Sequence, residues 1–177
     1  MEKIFDRPAT PEGRDLREMS TYDFLEALNV PYLRVDHLPA FTMEDCEQID
    51  RSLQVKMCKN LFLCNRQQTQ FYLLLMPGDK PFRTKELCAQ ISSPRLSFAS
   101  PELLLECLGV APGCATVLAL KNDTEHRVKL LIDRSVADQP YIGCHPCVNT
   151  SSLRIATKDI LETVLPSLGC QPTFVEL

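Results

Sequence analysis

Lys59 and Asn60 stand side by side, directly before the apolar run Leu61-Phe62-Leu63. A lysine ammonium can hold a phosphate or a ribose oxygen as a point charge. An asparagine amide offers two donors and an acceptor, and its carbonyl can receive a hydrogen bond from an ammonium group. The pair also suits a solvated strand start, with Lys59 as a surface charge and Asn60 as a turn residue. Spacing alone does not separate these readings.

About eighty residues later the chain reads Gly143-Cys144-His145-Pro146-Cys147-Val148-Asn149-Thr150. Only three histidines occur: His37, His126 and His145. A lone histidine is most often a structural donor, but one fixed between Cys144 and Pro146 has a restricted position and could line a pocket. No serine or cysteine nucleophile can be paired with it from the sequence. Cys144-x-x-Cys147 raises zinc and redox chemistry. Zinc needs a second ligand pair, and Cys58 and Cys64 do not have that spacing. A redox dithiol opens a helix after a strand, whereas Pro146 and Val148-Asn149-Thr150 read as a loop. Asp133, after Leu130-Leu131-Ile132, is either a catalytic carboxylate or a strand-end turn residue, and aspartate favours the second. Gly109-Val110-Ala111-Pro112-Gly113 lacks the glycine spacing of a dinucleotide site and reads as a helix stop and tight turn.

The bulk numbers restrict the class. A chain of 177 residues with 45% hydrophobic and 24% charged residues fits one soluble domain with a real core. No apolar run reaches membrane-spanning length, and Met1 to Asp6 has no signal-peptide core, so a cytoplasmic location is expected. Nine cysteines, an odd number, then point to reduced thiols. The Asn149-Thr150-Ser151 glycosylation match is read as accidental. A net charge of −4 argues against a generic nucleic-acid binder, leaves room for a protein that grips only a few phosphates, and predicts weak non-specific affinity. Lys56, Lys59, Arg66, Arg83, Lys85 and Arg95 form one patch or separate solvated faces; the sequence leaves this open.

The elements that must position these residues follow from periodicity and turn chemistry. Residues 1–19 read as a mobile arm and 20–177 as the domain. Ser20 or Thr21 caps a helix through Leu28. Residues 32–37 alternate as a strand, and Thr42-Met43-Glu44-Asp45 starts a helix continued by Ile49 and Leu53. Residues 60–64 and 71–76 form a hairpin. Thr84 caps a helix through Ile91, and residues 95–98 form a strand. Ser100-Pro101-Glu102 opens a helix that Gly109 stops. Residues 115–121 and 128–133 read as antiparallel strands, and 153–156 as another. Thr157 caps a helix through Leu168, and 172–175 closes the chain as a strand. The order lacks a regular βαβ rhythm. It predicts an α+β domain with a mixed, largely antiparallel curved sheet flanked by helices.

The order of these pieces resembles the prolyl-tRNA editing (YbaK/ProX) superfamily. The pieces are His37, Thr42, Lys59-Asn60-Leu61-Phe62-Leu63, Arg95 to Ala99, Leu108-Gly109-Val110, Pro112-Gly113, Asn122-Asp123, Asp133, His145-Pro146 and Asn149-Thr150. They cover residues 20 to 177. The resemblance implies a stand-alone aminoacyl-tRNA deacylase similar to the insertion domain of prolyl-tRNA synthetases, and its Lys-Asn branch implies Ala-tRNA(Pro) as substrate. It carries Lys59 and Asn60 over as the functional pair and His145, with Gly143, Cys144 and Pro146, as the substrate-pocket loop. It implies no cofactor and no metal. Its partners are aminoacylated tRNA(Pro), through the 3′ end and acceptor stem, and the synthetase as supplier or direct partner. Cysteines flank the His-Pro pair and Ser151-Ser152 replaces a threonine-containing stretch, both departures from the common pattern. The alternatives are a deacylase for cysteine or serine, a catalytically silent binding homologue, and a zinc or redox protein.

Overall fold

A computed structural model describes residue 4, residues 6–39 and residues 43–177, with residues 43–45 as backbone only. Its centre is the hairpin of β2 (Cys58–Asn65) and β3 (Phe71–Pro77), paired from Cys58↔Pro77 to Cys64↔Phe71. Asn65 closes the turn by accepting from the Thr69 and Gln70 amides at 2.9 and 3.1 Å. β4 (Leu96–Phe98) adds antiparallel to β2. β5 (Val128–Asp133) and β8 (Thr173–Val175) add in parallel beyond β3, giving the order β4-β2-β3-β5-β8.

Both faces of this sheet are covered, so β3 is buried along its first six residues. Side-chain alternation sends Phe62, Cys64, Phe71, Leu73 and Leu75 to the main core. That core also takes Tyr22 and Leu25 from α1 (Leu16–Ala27) and Leu104, Cys107 and Leu108 from α4 (Pro101–Leu108). Leu63, Tyr72, Leu74 and Met76 face the other way, against Leu87 of α3 (Thr84–Gln90).

A second, three-stranded antiparallel sheet has the order β1-β7-β6: β1 (Tyr32–Asp36), β7 (Ser151–Ala156), β6 (Tyr141–Cys144). The helix α2 (Met43–Leu53) covers it with Ile49 and Leu53 on Leu33 and Val35. The two sheets touch through the bridge Met57↔Gly143, where β2 begins. A Cβ on Gly143 would lie 2.8 Å from Met57 Sδ and 3.0 Å from the Lys56 carbonyl oxygen, so only glycine allows this approach.

The α+β class stands, with two sheets in place of one. Several expectations need correction. α1 begins at Leu16, because Asp15 accepts from the Arg17 amide at 2.8 Å; Thr21 instead donates back to the Arg17 carbonyl at 2.7 Å. Before α1, Ile4 pairs with Arg34, Arg7 with Glu26 at 3.2 Å, and Arg14 with Asp36 at 2.6 Å. Thr84 does not cap α3; Arg83 holds the cap position without a side-chain bond. Thr42 of the expected capping box lies outside the described residues.

Residues 117–122 form a 3₁₀ helix, where a strand was expected, capped by Thr116. The run Val117-Leu118-Ala119-Leu120 is buried on all sides, so it has no period from which helix and strand can be told apart. Gly143 and Cys144 belong to strand β6, where a loop was expected. The last helical stretch runs through α6 (Thr157–Asp159), a π turn (Ile160–Val164) and α7 (Leu165–Ser167), and ends before Gly169 at φ +62°. The Ser100 cap, Pro101 and left-handed Gly109 of α4 are as expected.

Candidate active-site cleft

At the junction of the two sheets lies a cleft of about 570 Å³. One wall is the start of β2, Met57 to Asn60; α2 supplies Ile49 and Asp50 opposite it. Gly78, Asp79, Gly113, Ala115, His145 and Asn149 complete the lining. Lys59 and Asn60, and His145 far along the chain, therefore border one recess.

Strand alternation separates the roles of the first two. Cys58 and Asn60 share the parity of the main-core residues Phe62 and Cys64. Lys59 shares the parity of Leu61 and Leu63, on the opposite face. The Lys59 ammonium donates to the carbonyls of Lys80 and, at 3.4 Å, of Gly78. It thereby clamps the Pro77–Lys80 turn to the rim, and one of its three N–H donors is left over.

The Asn60 amide nitrogen donates to the Cys58 carbonyl at 3.3 Å. Its Oδ1 is buried and has no hydrogen-bond partner among the described residues. An orphaned buried acceptor costs about 1–3 kcal/mol, so it marks a place where a donor is missing.

Asp50 accepts from the Met57 amide at 2.9 Å, and burial raises its pKa. Lys56 and Asp79 pair at 2.6 Å on the exposed rim. Burial lowers the pKa of His145, favouring the neutral ring. Its Nδ1 lies 3.3 Å from the Ser151 carbonyl oxygen and 3.5 Å from Ser152 Oγ. The same Ser152 hydroxyl is 2.8 Å from His37 Nε2, and His37 Nδ1 is 2.7 Å from the Leu38 carbonyl oxygen.

The other residues of the expected pocket loop do not border the cleft. Gly143 is buried in β6 between Met57 and Arg154 of β7, and Cys144 and Pro146 are buried behind His145. Gly143 is thus a spacer between the sheets. Burial pushes the Cys144 thiol up and the Cys58 thiol to about 12, which suppresses thiolate chemistry at both. Cys58, Cys64, Cys88, Cys107, Cys114, Cys144, Cys147 and Cys170 form no disulfide, and among the described residues no three His, Cys, Asp or Glu side chains are grouped to hold a metal ion.

Asp133 caps α5 (Arg134–Ala137) through the Ser135 amide at 2.9 Å and pairs with Lys80 at 2.7 Å, far from a free catalytic carboxylate. Of the six dispersed basic residues, only Lys56 and Lys59 border the cleft; Arg66 and Arg95 flank the Asn65↔Leu96 pair at the other end of β2. Sequence reasoning missed Asp50, Gly113, Ala115 and Asn149 as lining residues. Gly113 and Asn149 carried a signal, as parts of the motif order.

The family model described as "Aminoacyl-tRNA editing domain" matches residues 37–163. The chain belongs to the aminoacyl-tRNA editing domain family. Among its relatives is a zebrafish (Danio rerio) prolyl-tRNA synthetase associated domain-containing protein 1. It is 35% identical over 149 residues, covering 83% of this chain and 80% of that protein. The prolyl-tRNA editing protein ProX of Acetoanaerobium sticklandii is 29% identical over 153 residues, covering 86% and 93%. A crystal structure described as a candidate trans-editing enzyme for prolyl-tRNA synthetase shares the fold, with a TM-score of 0.66 at 14% identity, over 92% of this chain and 98% of that one. Among the described residues, no helix is long and apolar enough to cross a membrane.

Proposed function

We propose that this chain is a trans-editing deacylase that hydrolyses the aminoacyl ester of Ala-tRNA(Pro) in the cytoplasm. The observation that carries the reading is the unpartnered Asn60 Oδ1 in the cleft shared by Lys59 and His145. The α-ammonium of an aminoacyl ester supplies the donor that this oxygen lacks. A charge-assisted hydrogen bond of this kind contributes about 1.5–3 kcal/mol. The remaining N–H of Lys59 holds the 3′-terminal phosphate or ribose, and His145 walls the amino-acid side of the cleft. A volume of about 570 Å³ suits a nucleoside bearing a small amino acid.

The chemistry needs no protein nucleophile, because the ester is already activated. Water attacks the ester carbonyl, assisted by the neighbouring ribose hydroxyl. The bond between the carbonyl carbon and the ribose oxygen breaks, and the proton from water ends on that oxygen. Editing supplies discrimination that a proline site lacks: each methylene a smaller ligand is missing is worth only about 1–3 kcal/mol, and alanine lacks two of proline's ring carbons. Prolyl-tRNA synthetase supplies the mischarged substrate.

The test is a deacylation panel with Ala-, Ser-, Cys- and Pro-charged tRNA(Pro). Alanine is expected to be released fastest and proline retained. Preferred release of serine or cysteine would move the specificity within the same chemistry, and binding of charged tRNA without any ester loss would leave a silent homologue. Unchanged alanine release in both Lys59→Ala and Asn60→Ala would remove the proposed roles.

A further inference from the structure

His145 is joined to His37 through one hydroxyl, and with both rings neutral the direction of every hydrogen bond along that path follows from the partners. The Leu38 carbonyl has no proton to give, so His37 Nδ1, 2.7 Å away, carries the hydrogen. In the neutral ring His37 Nε2 is then a lone pair. Ser152 Oγ, 2.8 Å from it, must donate its single hydrogen there. What Ser152 offers to His145 Nδ1 at 3.5 Å is only an acceptor, and the Ser151 carbonyl at 3.3 Å is another. Facing two acceptors, His145 Nδ1 carries its hydrogen as well.

We infer that His145 presents an Nε2 lone pair to the cleft and accepts a hydrogen bond from a hydroxyl or water at the scissile ester, and that Ser152 and His37 are the positioning residues that hold it in that tautomer. The fold builds this path deliberately close. The β1–β7 register sets Val35 opposite Ser152 and Asp36 opposite Ser151, and the His37 amide donates to the Thr150 carbonyl at 3.0 Å, so His37 extends the ladder beside the serine. Ser152 is fully buried, so no solvent competes for its hydrogen. With Nδ1 turned to Ser151 and Ser152, the Nε2 edge is the one left toward the recess that His145 lines. A neutral ring with a fixed tautomer is an acceptor; the opposite tautomer would present an N–H and repel a hydroxyl donor.

The acceptor's partner rests on the deacylase reading; the tautomer does not, and the experiment separates them. Imidazole ¹⁵N–¹H correlation spectra of the ¹⁵N-histidine protein at pH 8 read all three rings, assigned with His126→Gln and His37→Leu. His145 and His37 are expected as Nδ1–H forms. Ser152→Ala is expected to shift His145 toward a mixture with the Nε2–H form, and Ser152→Thr to restore the Nδ1–H form. In single-turnover deacylation, Ser152→Ala is expected to lower kcat at least about tenfold with KM little changed; about 10⁴-fold is the loss when a triad histidine takes the wrong tautomer. An Nε2–H form of His145 in the unaltered protein would overturn the inference whether or not any variant folds. So would a tautomer and kcat that both ignore Ser152→Ala. If no charged tRNA is hydrolysed by the unaltered protein but the Nδ1–H form is found, the deacylase reading fails and the relay stands.

Discussion

Replacing Asn60 with leucine separates a side chain kept for binding from one kept for folding. The Asn60 Oδ1 is buried without a partner among the described residues, a loss of about 1–3 kcal/mol. The amide nitrogen recovers part of this through the 3.3 Å bond to the Cys58 carbonyl, about 0.5–1.5 kcal/mol. Leucine has the same number of side-chain heavy atoms and removes both terms; its branch is bulkier than the planar amide, and the half-buried position beside the cleft leaves room for it. The net change is expected between zero and about 2 kcal/mol of added stability. For a chain of this length each kcal/mol moves the melting temperature by about 2–4 °C, so Asn60→Leu melts at the same temperature or a few degrees higher. The same change removes the acceptor for the α-ammonium. Losing about 1.5–3 kcal/mol of transition-state binding lowers kcat/KM for Ala-tRNA(Pro) about 10- to 150-fold. Thermal melting and single-turnover deacylation on one preparation give both numbers. A variant that melts several degrees lower yet hydrolyses at the original rate would show that Oδ1 has a structural partner in solution, and the argument from its isolation would fall.

The bridge between the sheets is equally exposed to test. Gly143→Ala places a methyl 2.8 Å from Met57 Sδ and 3.0 Å from backbone atoms of Lys56 and Met57, so about 1–3 kcal/mol of stability is expected to be lost. A melting temperature within a degree of the original would show that the sheets part without strain. At the other side of β1, burial alone would raise the Asp36 pKa, but hydrogen bonds from the Arg14 and Arg34 guanidinium groups overcome it and hold the carboxyl at about 2. A carboxylate with a depressed folded pKa contributes its stability fully above about pH 4 and loses it as pH falls toward 2. The full linkage is about 2.5 kcal/mol. Asp36 is a third exposed, so screening reduces this to about 1–2 kcal/mol. Urea unfolding between pH 5 and 2 is expected to show this loss and Asp36→Asn to flatten it; parallel profiles for the two proteins would refute the assignment.

Much of the scaffold was legible in the chain because it rests on local chemistry. The β2–β3 hairpin follows from two apolar runs around Asn65 to Gln70, and α4 from Ser100, Pro101 and Gly109, whose backbone needs are met within a few residues. The 3₁₀ segment Val117–Asn122 was not legible, because an apolar run buried all round carries no period. With that strand absent, β5 pairs in parallel with β3, a neighbour that only long-range packing could choose.

The same division runs through the cleft. Residue type marked Lys59, Asn60 and His145, since ammonium, amide and imidazole are few and chemically distinct. Sequence adjacency suggested that Lys59 and Asn60 act as a side-by-side pair, yet the two-residue period of a strand sends them to opposite faces. Gly143 looked like a pocket residue and is a spacer, because what matters there is the missing Cβ against Met57. Asn60 and His145 border one recess beside the Met57↔Gly143 contact, and the burial of Asn60 Oδ1 without a partner among the described residues exists only in that packing. Residue types are properties of the chain, whereas burial and missing partners are properties of how distant segments pack, and these exist only in the folded molecule.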